Sequence, residues 1–220
     1  MPRRVVPNIH RNLDLEGWLL EFEDLPQPWD RGQKLFGDEK PLEVEVGSGK
    51  GLFLRRATAA NPDHNFLGIE VSFKYARFAA AHLARQGAEN GRMMAGDGLR
   101  VFREVLPDES LAAVHVYFPD PWWKKRHRKR RVLNEAFLAD AGRTLRPGGE
   151  LHFWTDVQEY FETTLELIAG MQAADPRLPL DGPHDVPEPP SEHHLDFRTH
   201  FERRTRLNGD PVYRSRFVKV

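Results

Sequence analysis

The residues with the clearest chemical meaning lie between Phe118 and Trp123, where one carboxylate, Asp120, stands between two prolines and ahead of two tryptophans. Each proline fixes its own φ and disfavours helix at the preceding residue, so we expect a stiff loop that presents the carboxylate. Residues 124–131, the basic segment, follow directly and consist of Lys, Arg and one His. Cations suit a polyanion because each neutralised phosphate releases a condensed counterion. An acid, aromatic rings and cations together indicate chemistry on a nucleic-acid base.

The basic segment also has a simpler explanation, as a solvated charged surface or an interaction tail. Its position in the chain argues against that explanation. Residues 111–118 are apolar, partly β-branched and followed by Pro119, which predicts a buried strand. The carboxylate and the cations therefore begin at the carboxyl end of a strand, the edge where open α/β sheets bind ligands.

The elements that would position these residues alternate along the chain. Strands are predicted at 42–46, 66–70, 92–95, 111–118 and 150–155, and helices at 50–60, 72–86, 132–145 and 157–171. This alternation predicts a mostly parallel sheet covered by helices on both faces. Residues 1–40 are rich in Pro, Gly and charge, and we expect them to form an irregular extension before one α/β domain at 41–220.

The last part of the chain is predicted from its turn residues. Residues 175–190 contain six prolines and no helical period, which predicts a surface loop. The segments 195–206 and 212–220 flank Asn208, Gly209, Asp210 and Pro211, which predicts a hairpin connection. Such a hairpin would give the sheet one antiparallel edge.

Composition excludes several classes of site. The 220 residues carry a net charge of −1 and no cysteine, so disulfides, thiolate metal sites and a cysteine nucleophile are absent. No segment approaches the ~20 apolar residues that a membrane span needs, and we expect a soluble, cytoplasmic protein without membrane contacts. His184, His193, His194 and His200 lack the short ligand spacing of a zinc site, so we predict solvated histidines and no bound metal.

A glycine loop connects the first predicted strand to the first predicted helix. Gly47, Gly49 and Gly51 would let its backbone approach a ligand closely. A dinucleotide-binding fingerprint would place its third glycine at position 52, which is Leu52, and a P-loop would need a glycine at position 44, which is Val44. The spacing therefore disfavours both kinds of phosphate-binding loop.

Three carboxylates stand at or just after the ends of the first three predicted strands, at Glu45, Glu70 and Asp97. Each by itself has a simpler explanation as a solvated or helix-capping group. Together they form a rim that repels phosphate but accepts hydrogen bonds from an ammonium group or ribose hydroxyls. S-adenosylmethionine combines these parts. We expect Glu70 to bind its ribose, Asp97 to lie near its adenine and Glu45 to face its ammonium group.

From about Leu42 onward, these motifs resemble the bacterial tRNA guanine-N7 methyltransferases. The resemblance is carried by V-E-V-G-S-G-K-G at 44–51, F-L-G-I-E-V at 66–71, the segment around Asp97, F-P-D-P-W-W-K-K-R-H-R-K-R-R at 118–131, W-T-D at 154–156 and T-H-F-E at 199–202. It implies a Rossmann-like methyltransferase fold over 41–220, S-adenosylmethionine as the donor and a guanosine in the tRNA variable loop as the acceptor.

The resemblance also implies roles for individual residues. The donor-site acids would be Glu45, Glu70, Asp97 and Asp120, with Asp120 also the catalytic acid. The substrate contacts would be Lys124, Asp156, Thr199, His200, Phe201 and Glu202. The RNA-binding residues would be Arg126, His127, Arg128, Lys129, Arg130 and Arg131. The chain departs from the family's usual pattern at Trp123 and at His200-Phe201, which concerns only the detail of the base pocket.

Two other functions remain compatible with the residues alone. An exocyclic-amine methyltransferase of DNA would also use an acid-Pro-aromatic loop, although Asp120 and Trp122 are separated by only one proline instead of two. The second alternative is a catalytically silent RNA-binding protein with a methyltransferase-like fold. The sequence does not distinguish a monomer from a homodimer, or decide whether Trp122 or Trp123 stacks on RNA.

Overall fold

The computed structural model describes residues 13–30, 32–174, 178, 180–188 and 197–220. The strands of its sheet are β1 (Leu19–Leu20), β2 (Leu42–Val46), β3 (Asn65–Glu70), β4 (Gly91–Ala95), β5 (Leu111–Tyr117), β6 (Leu145–Thr155), β7 (Leu180–Asp185) and β8 (Tyr213–Lys219). The helices are α1 (Gln33–Phe36), α2 (Leu52–Ala60), α3 (Phe73–Gln86), α4 (Gly98–Glu104), α5 (Glu135–Thr144), α6 (Gln158–Ala174) and α7 (His200–Leu207). Short 3₁₀ helices lie at Phe22–Asp24 and Lys125–Arg130.

The strands form one sheet in the order β1-β4-β3-β2-β5-β6-β8-β7. Strands β1 to β6 are parallel, and β8 runs antiparallel between β6 and β7. The predicted fold, a mostly parallel α/β sheet with an antiparallel edge, is therefore confirmed. The strand order reverses between β2 and β5, and the crevice at the carboxyl ends of two such strands is the usual ligand site of this architecture.

The antiparallel edge is built from other residues than the sequence predicted. Residues 200–207 form α7 instead of a strand, because the Thr199 hydroxyl accepts a hydrogen bond from the Glu202 N–H and caps the helix. On its outer side β8 pairs with β7, which lies within the segment predicted as a loop. Leu180 is buried there, and Pro183 is tolerated because β7 is an edge strand.

The described part of the first forty residues is more ordered than predicted. It contains β1, α1 and a 3₁₀ helix, and Leu19 of β1 lies opposite Met93 in the sheet. Leu20, Leu25 and Leu35 reach the main core without any regular spacing along the sequence, which is why periodicity did not find them. The division of the chain at residue 40 stays a prediction.

The sheet has an apolar core on each face. Val44, Val114 and Phe153 belong to the cluster on one side, and Phe66 and Ala79 to the cluster on the other. Because the central strands are buried on both faces, polar side chains within them stand out as candidates for function.

Helix α4, which was not predicted from the sequence, follows β4. None of the helices described here is long and apolar enough to cross a bilayer.

Candidate active site

A cavity of about 670 Å³ lies at the reversal of strand order, between the glycine loop after β2, the end of β5 and the start of α7. Several predicted site residues line it, namely Glu45, Gly47, Gly49, Thr199, His200 and Phe201. Tyr117 and Phe118 form the wall contributed by β5 and the residue that follows it. The cavity therefore joins two segments of the chain that the sequence analysis selected independently.

The three glycines of the loop have different surroundings. Gly47 and Gly49 adopt φ values of 82° and 53°, and a Cβ on either would meet no atom within 4 Å, so their backbone faces open space. A Cβ on Gly51 would lie 2.5 Å from the Ala79 Cβ, too close for a side chain. Gly51 therefore allows α2 to pack on α3, and Gly47 and Gly49 give the loop its exposed backbone.

Glu45 is the most unusual charged group of the cavity. Its side chain is only 3 % exposed, and its Oε2 atom has no hydrogen-bond partner among the described residues. Burial, together with the neighbouring charge of Glu70, raises the pKa of Glu45 to about 8. A buried carboxyl with an unused acceptor fits a cationic ligand group, because the cation would favour its charged form.

Glu70 and Asp97 already accept hydrogen bonds from backbone groups. The two carboxylate oxygens of Glu70 accept from the N–H groups of Gly49 at 2.9 Å and Ser72 at 2.8 Å. Asp97 is exposed and accepts from the Leu99 N–H, which makes it the N-cap of α4. A carboxylate oxygen has two acceptor positions, so both groups retain the capacity to bind ligand hydroxyl or amino groups.

The loop that carries Asp120 is conformationally strained. Phe118 and Trp122 are non-glycine residues with φ values of 50° and 47°, an arrangement that costs about 1–3 kcal/mol each. The Phe118 N–H donates to the Trp154 carbonyl at 2.7 Å, and the Pro121 carbonyl accepts from the Nε–H of Arg131 at 2.9 Å. Asp120 lies exposed between these fixed points. The stiffness that the prolines predict is thus reinforced by tertiary contacts.

The Lys and Arg residues of the basic segment form an exposed cationic surface with one exception. Most of its residues are exposed on or beside a 3₁₀ helix, and these are Lys124, Lys125, Arg126, Arg128, Lys129 and Arg130. The edge of the Trp122 ring meets the half-buried His127, whereas Trp123 is 68 % exposed. Arg131 is the exception and is buried. The two tryptophans are therefore in different environments, with Trp122 packed and Trp123 open to solvent.

The predicted substrate residues around α7 divide into two kinds. Glu202 is fully buried, and its carboxylate accepts from the Arg198 N–H and pairs with Arg214 at 3.3 Å. The Thr199 hydroxyl caps α7, so both side chains hold the helix in place. Phe201 is half exposed and stacks on Phe118 with ring centroids 6.1 Å apart. Thus α7 places an aromatic ring beside the Asp120 loop.

The remaining predicted residues lie near the strand ends or outside the described chain. Asp156 is exposed immediately after β6. His184 pairs with Asp181 at 3.0 Å, and His193 and His194 are not among the described residues. No group of three metal-ligating side chains was found in the described ranges. The expectation of a metal-free protein stays a prediction.

A buried polar group at the cavity wall was not predicted from the sequence. The Tyr117 hydroxyl accepts from the Arg198 guanidinium at 2.9 Å and donates to Nδ1 of His115 at 2.9 Å. Burial lowers the pKa of His115 to about 4, so the ring is neutral at pH 7 and its Nε2–H donates to Glu43 at 2.7 Å. The only sequence signal was a His and a Tyr within an otherwise apolar strand.

The chain is similar in sequence to known methyltransferases. A family model described as "Putative methyltransferase" matches residues 39–215. A tRNA (guanine-N(7)-)-methyltransferase of Rhodopirellula baltica is 51 % identical over 97 % of this chain and 79 % of the relative. A protein of the same name from Alcanivorax borkumensis is 38 % identical over 85 % of this chain and 76 % of the relative.

Solved structures with the same fold include two methyltransferases of ribosomal RNA. A 16S rRNA (adenine(1408)-N(1))-methyltransferase from Catenulisporales acidiphilia, determined with the cosubstrate SAM, has a TM-score of 0.55 at 20 % identity and covers 82 % of this chain and 86 % of its own. An rRNA methylase from Streptococcus thermophilus has a TM-score of 0.53 at 14 % identity and covers 83 % and 89 %. At these identities the likeness concerns the fold alone.

Proposed function

Because the chain belongs to the tRNA (guanine-N(7)-)-methyltransferase family, it is a methyltransferase, and we propose that it transfers the methyl group of S-adenosylmethionine to N7 of a guanosine in the tRNA variable loop. The observation that carries this proposal is the buried Glu45 carboxyl in a cavity that adjoins the Asp120 loop. The relatives give no support to a DNA methyltransferase or to a silent RNA-binding protein.

Glu45 presents an unpartnered acceptor to the cavity, whereas Glu70 and Asp97 do not line the cavity but keep acceptor positions for further ligand groups. Glu45 would hold the ammonium group of the donor, Glu70 its ribose hydroxyls, and Asp97 the adenine side. The open backbone of Gly47 and Gly49 would let the ligand approach closely. When bound, S-adenosylmethionine supplies a methyl group activated by its positively charged sulfur.

The chemical step makes limited demands on the protein. Guanine N7 carries a lone pair and no proton, so no general base is needed to free it for attack. Alignment of the reacting atoms can contribute roughly 7–11 kcal/mol. The Asp120 carboxylate would accept from the guanine N1–H and 2-amino groups and stabilise the positive charge that develops on the base. We propose that the planar base enters beside the stacked rings of Phe118 and Phe201.

The exposed cations of the basic segment are the proposed contacts to tRNA phosphates. Changing Lys125, Arg126 and Lys129 together to Gln should weaken tRNA binding and lower the slope of log Kd against log salt concentration by about 3, one for each lost phosphate contact. The measurement is a salt titration of tRNA binding. Changing Lys40 and Arg103, exposed cations elsewhere on the fold, to Gln should leave the slope unaltered. An equal change in both variants would contradict the proposed role of the segment.

Trp123, not Trp122, is the proposed stacking residue because it alone presents an open ring. Trp123→Ala should weaken tRNA binding by about 1–3 kcal/mol, the usual value of one base–aromatic stack. Trp122→Ala should lower kcat more than affinity, since that ring packs within the loop. Binding and single-turnover assays on both variants test this difference, and the opposite pattern would reverse the assignment.

The proposed function is tested by incubating the protein with labelled S-adenosylmethionine and bulk tRNA, then digesting the product to nucleosides. The expected product is 7-methylguanosine. In a parallel incubation with DNA in place of tRNA, label transfer would favour an amine methyltransferase. The absence of both transfer and a donor-dependent thermal shift would favour a silent RNA-binding protein.

A further inference from the structure

Arg131 differs from every other cation of the basic segment. Arg131 is only 8 % exposed, whereas the preceding residues Lys129 and Arg130 are exposed. A buried guanidinium needs partners because desolvation of an unpaired charge is costly. The environment of Arg131 is therefore that of a group that binds within the protein, although the sequence pattern assigns it to RNA.

The guanidinium of Arg131 links the Asp120 loop to helix α6. Its Nε–H donates to the Pro121 carbonyl at 2.9 Å. Its two amino groups donate to the Thr163 hydroxyl at 3.3 Å and to Oε2 of Glu159 at 2.7 Å. The guanidinium also lies over the Tyr160 ring, 4.3 Å from its centroid. One side chain thus joins the backbone of the loop to three residues of a single helix.

The backbone strain of the Asp120 loop explains why the loop needs the contacts that Arg131 makes. Residues in the left-handed region, such as Phe118 and Trp122, persist only where the surrounding structure over-determines their conformation. The entrance of the loop is held by the hydrogen bond from the Phe118 N–H to the Trp154 carbonyl. At its exit, the bond from Arg131 to the Pro121 carbonyl adjoins Asp120. Loss of that bond would free the carboxylate to leave its position.

Glu159 completes the link and connects it to the RNA-facing surface. One of its carboxylate oxygens pairs with Arg131, and the other pairs with the exposed Arg128 at 3.1 Å. Hydrogen bonding to Arg131, aided by both positive charges, lowers the pKa of Glu159 below its usual value. The carboxylate therefore stays ionised at neutral pH, as a guanidinium partner requires.

We propose that Arg131 and Glu159 are positioning residues that fix the Asp120 loop for methyl transfer, and that Arg131 does not bind tRNA. This inference rests on the proposed function, because it assigns a task within that reaction. It separates two roles within the basic segment. The exposed cations determine affinity for the polyanion, and the buried one determines the geometry of the catalytic carboxylate.

The test measures kcat and the Kd for tRNA separately in each variant. Arg131→Lys keeps the charge but loses the planar fork, and misplacement of a reacting group by about 1 Å lowers rates on the order of 100-fold. We expect kcat to fall by about that factor while the Kd for tRNA and its salt dependence stay within twofold of wild type. Lys129→Gln, a change to an exposed neighbour, should instead raise the Kd for tRNA and reduce its salt dependence.

A second variant separates positioning from folding. Glu159→Gln removes one charge at a half-exposed site and should lower kcat in the same direction without loss of the folded state, as checked by thermal unfolding. The double variant with Arg131→Lys should be no slower than Arg131→Lys alone, since both changes break one link. The inference is overturned if Arg131→Lys or Glu159→Gln turns over at the wild-type rate, or if Arg131→Lys behaves like Lys129→Gln. If wild-type protein methylates no tRNA, the proposed function fails and this inference fails with it.

Discussion

Replacing Asp120 by Asn should lower kcat about 100- to 1000-fold, the usual effect of removing one preorganised electrostatic contact at a reacting centre. The amide keeps the size of the side chain but lacks the negative charge that would stabilise a cationic base. It also presents N–H donors where the guanine N1–H and amino groups need acceptors. Single-turnover methylation of tRNA at saturating donor and substrate measures this change.

The Asp120→Asn variant should still bind tRNA with nearly the wild-type Kd, because the exposed cations of the basic segment are intact. Its unfolding temperature should also be close to wild type, since Asp120 is exposed. Asp156→Asn changes another exposed carboxylate of the proposed substrate site, after β6. Its kcat shows whether the loss at Asp120 is specific to that carboxylate. A variant of Asp120 with unimpaired turnover would remove the carboxylate from the mechanism.

Replacing Glu45 by Gln should weaken donor binding by at least about 100-fold, because removal of one partner from a buried charge pair costs about 3–5 kcal/mol. Oε2 of Glu45 has no hydrogen-bond partner among the described residues and is therefore available to the ammonium group of the donor. Isothermal titration with S-adenosylmethionine measures the loss. Glu43→Gln, on the same strand but bonded to His64 and His115, should affect donor affinity far less.

The same residue should make donor binding depend on pH. With a pKa of about 8, Glu45 is mostly protonated at pH 7 in the donor-free protein. The ammonium group of the donor favours the carboxylate, so binding at pH 7 should release most of one proton, and affinity should rise from pH 6 to about pH 8. Calorimetry in two buffers of different ionisation enthalpy detects the proton. Neither effect should remain in Glu45→Gln.

Stability should change in the opposite sense. The pKa of Glu45 is raised on folding from 4.5 to about 8, so between these values the folded state binds more protons than the unfolded state. The contribution of Glu45 to the free energy of unfolding is therefore fully present below about pH 4.5 and is lost as pH rises through about 8. Donor binding strengthens over part of the range in which the donor-free fold weakens.

Much of the architecture was predictable because it depends on local signals. The predicted strands at 42–46 and 66–70 match β2 and β3 to within one residue, and the helix at 72–86 matches α3, which begins after Ser72 and ends before Gly87. Apolar runs bounded by Gly and Pro can be recognised in the sequence without knowing which residues pack against them in the fold. The helix at 200–207 was not predicted, because Thr199 at its start also fits a turn. Only the structure shows that Glu202 is buried and holds this helix in place.

The candidate site was only partly predictable. Glu45, the glycine loop and Asp120 were found because strand ends concentrate ligand-binding groups in this class of sheet. Tyr117 and Arg198 were not found, because their hydrogen bond joins residues 81 positions apart. No local pattern indicates which distant guanidinium a buried hydroxyl will meet.

The sequence by itself determined the chemistry available to this protein: acids at strand ends, a stiff acidic loop, and cations for a polyanion. Those features depend on residue type and short-range backbone geometry, which the chain carries locally. Only the tertiary structure decided that Arg131 is buried against Glu159, while Arg130, a residue of the same type, remains in solvent. Burial follows from the packing of α6 beside the loop, and packing is a property of the whole fold.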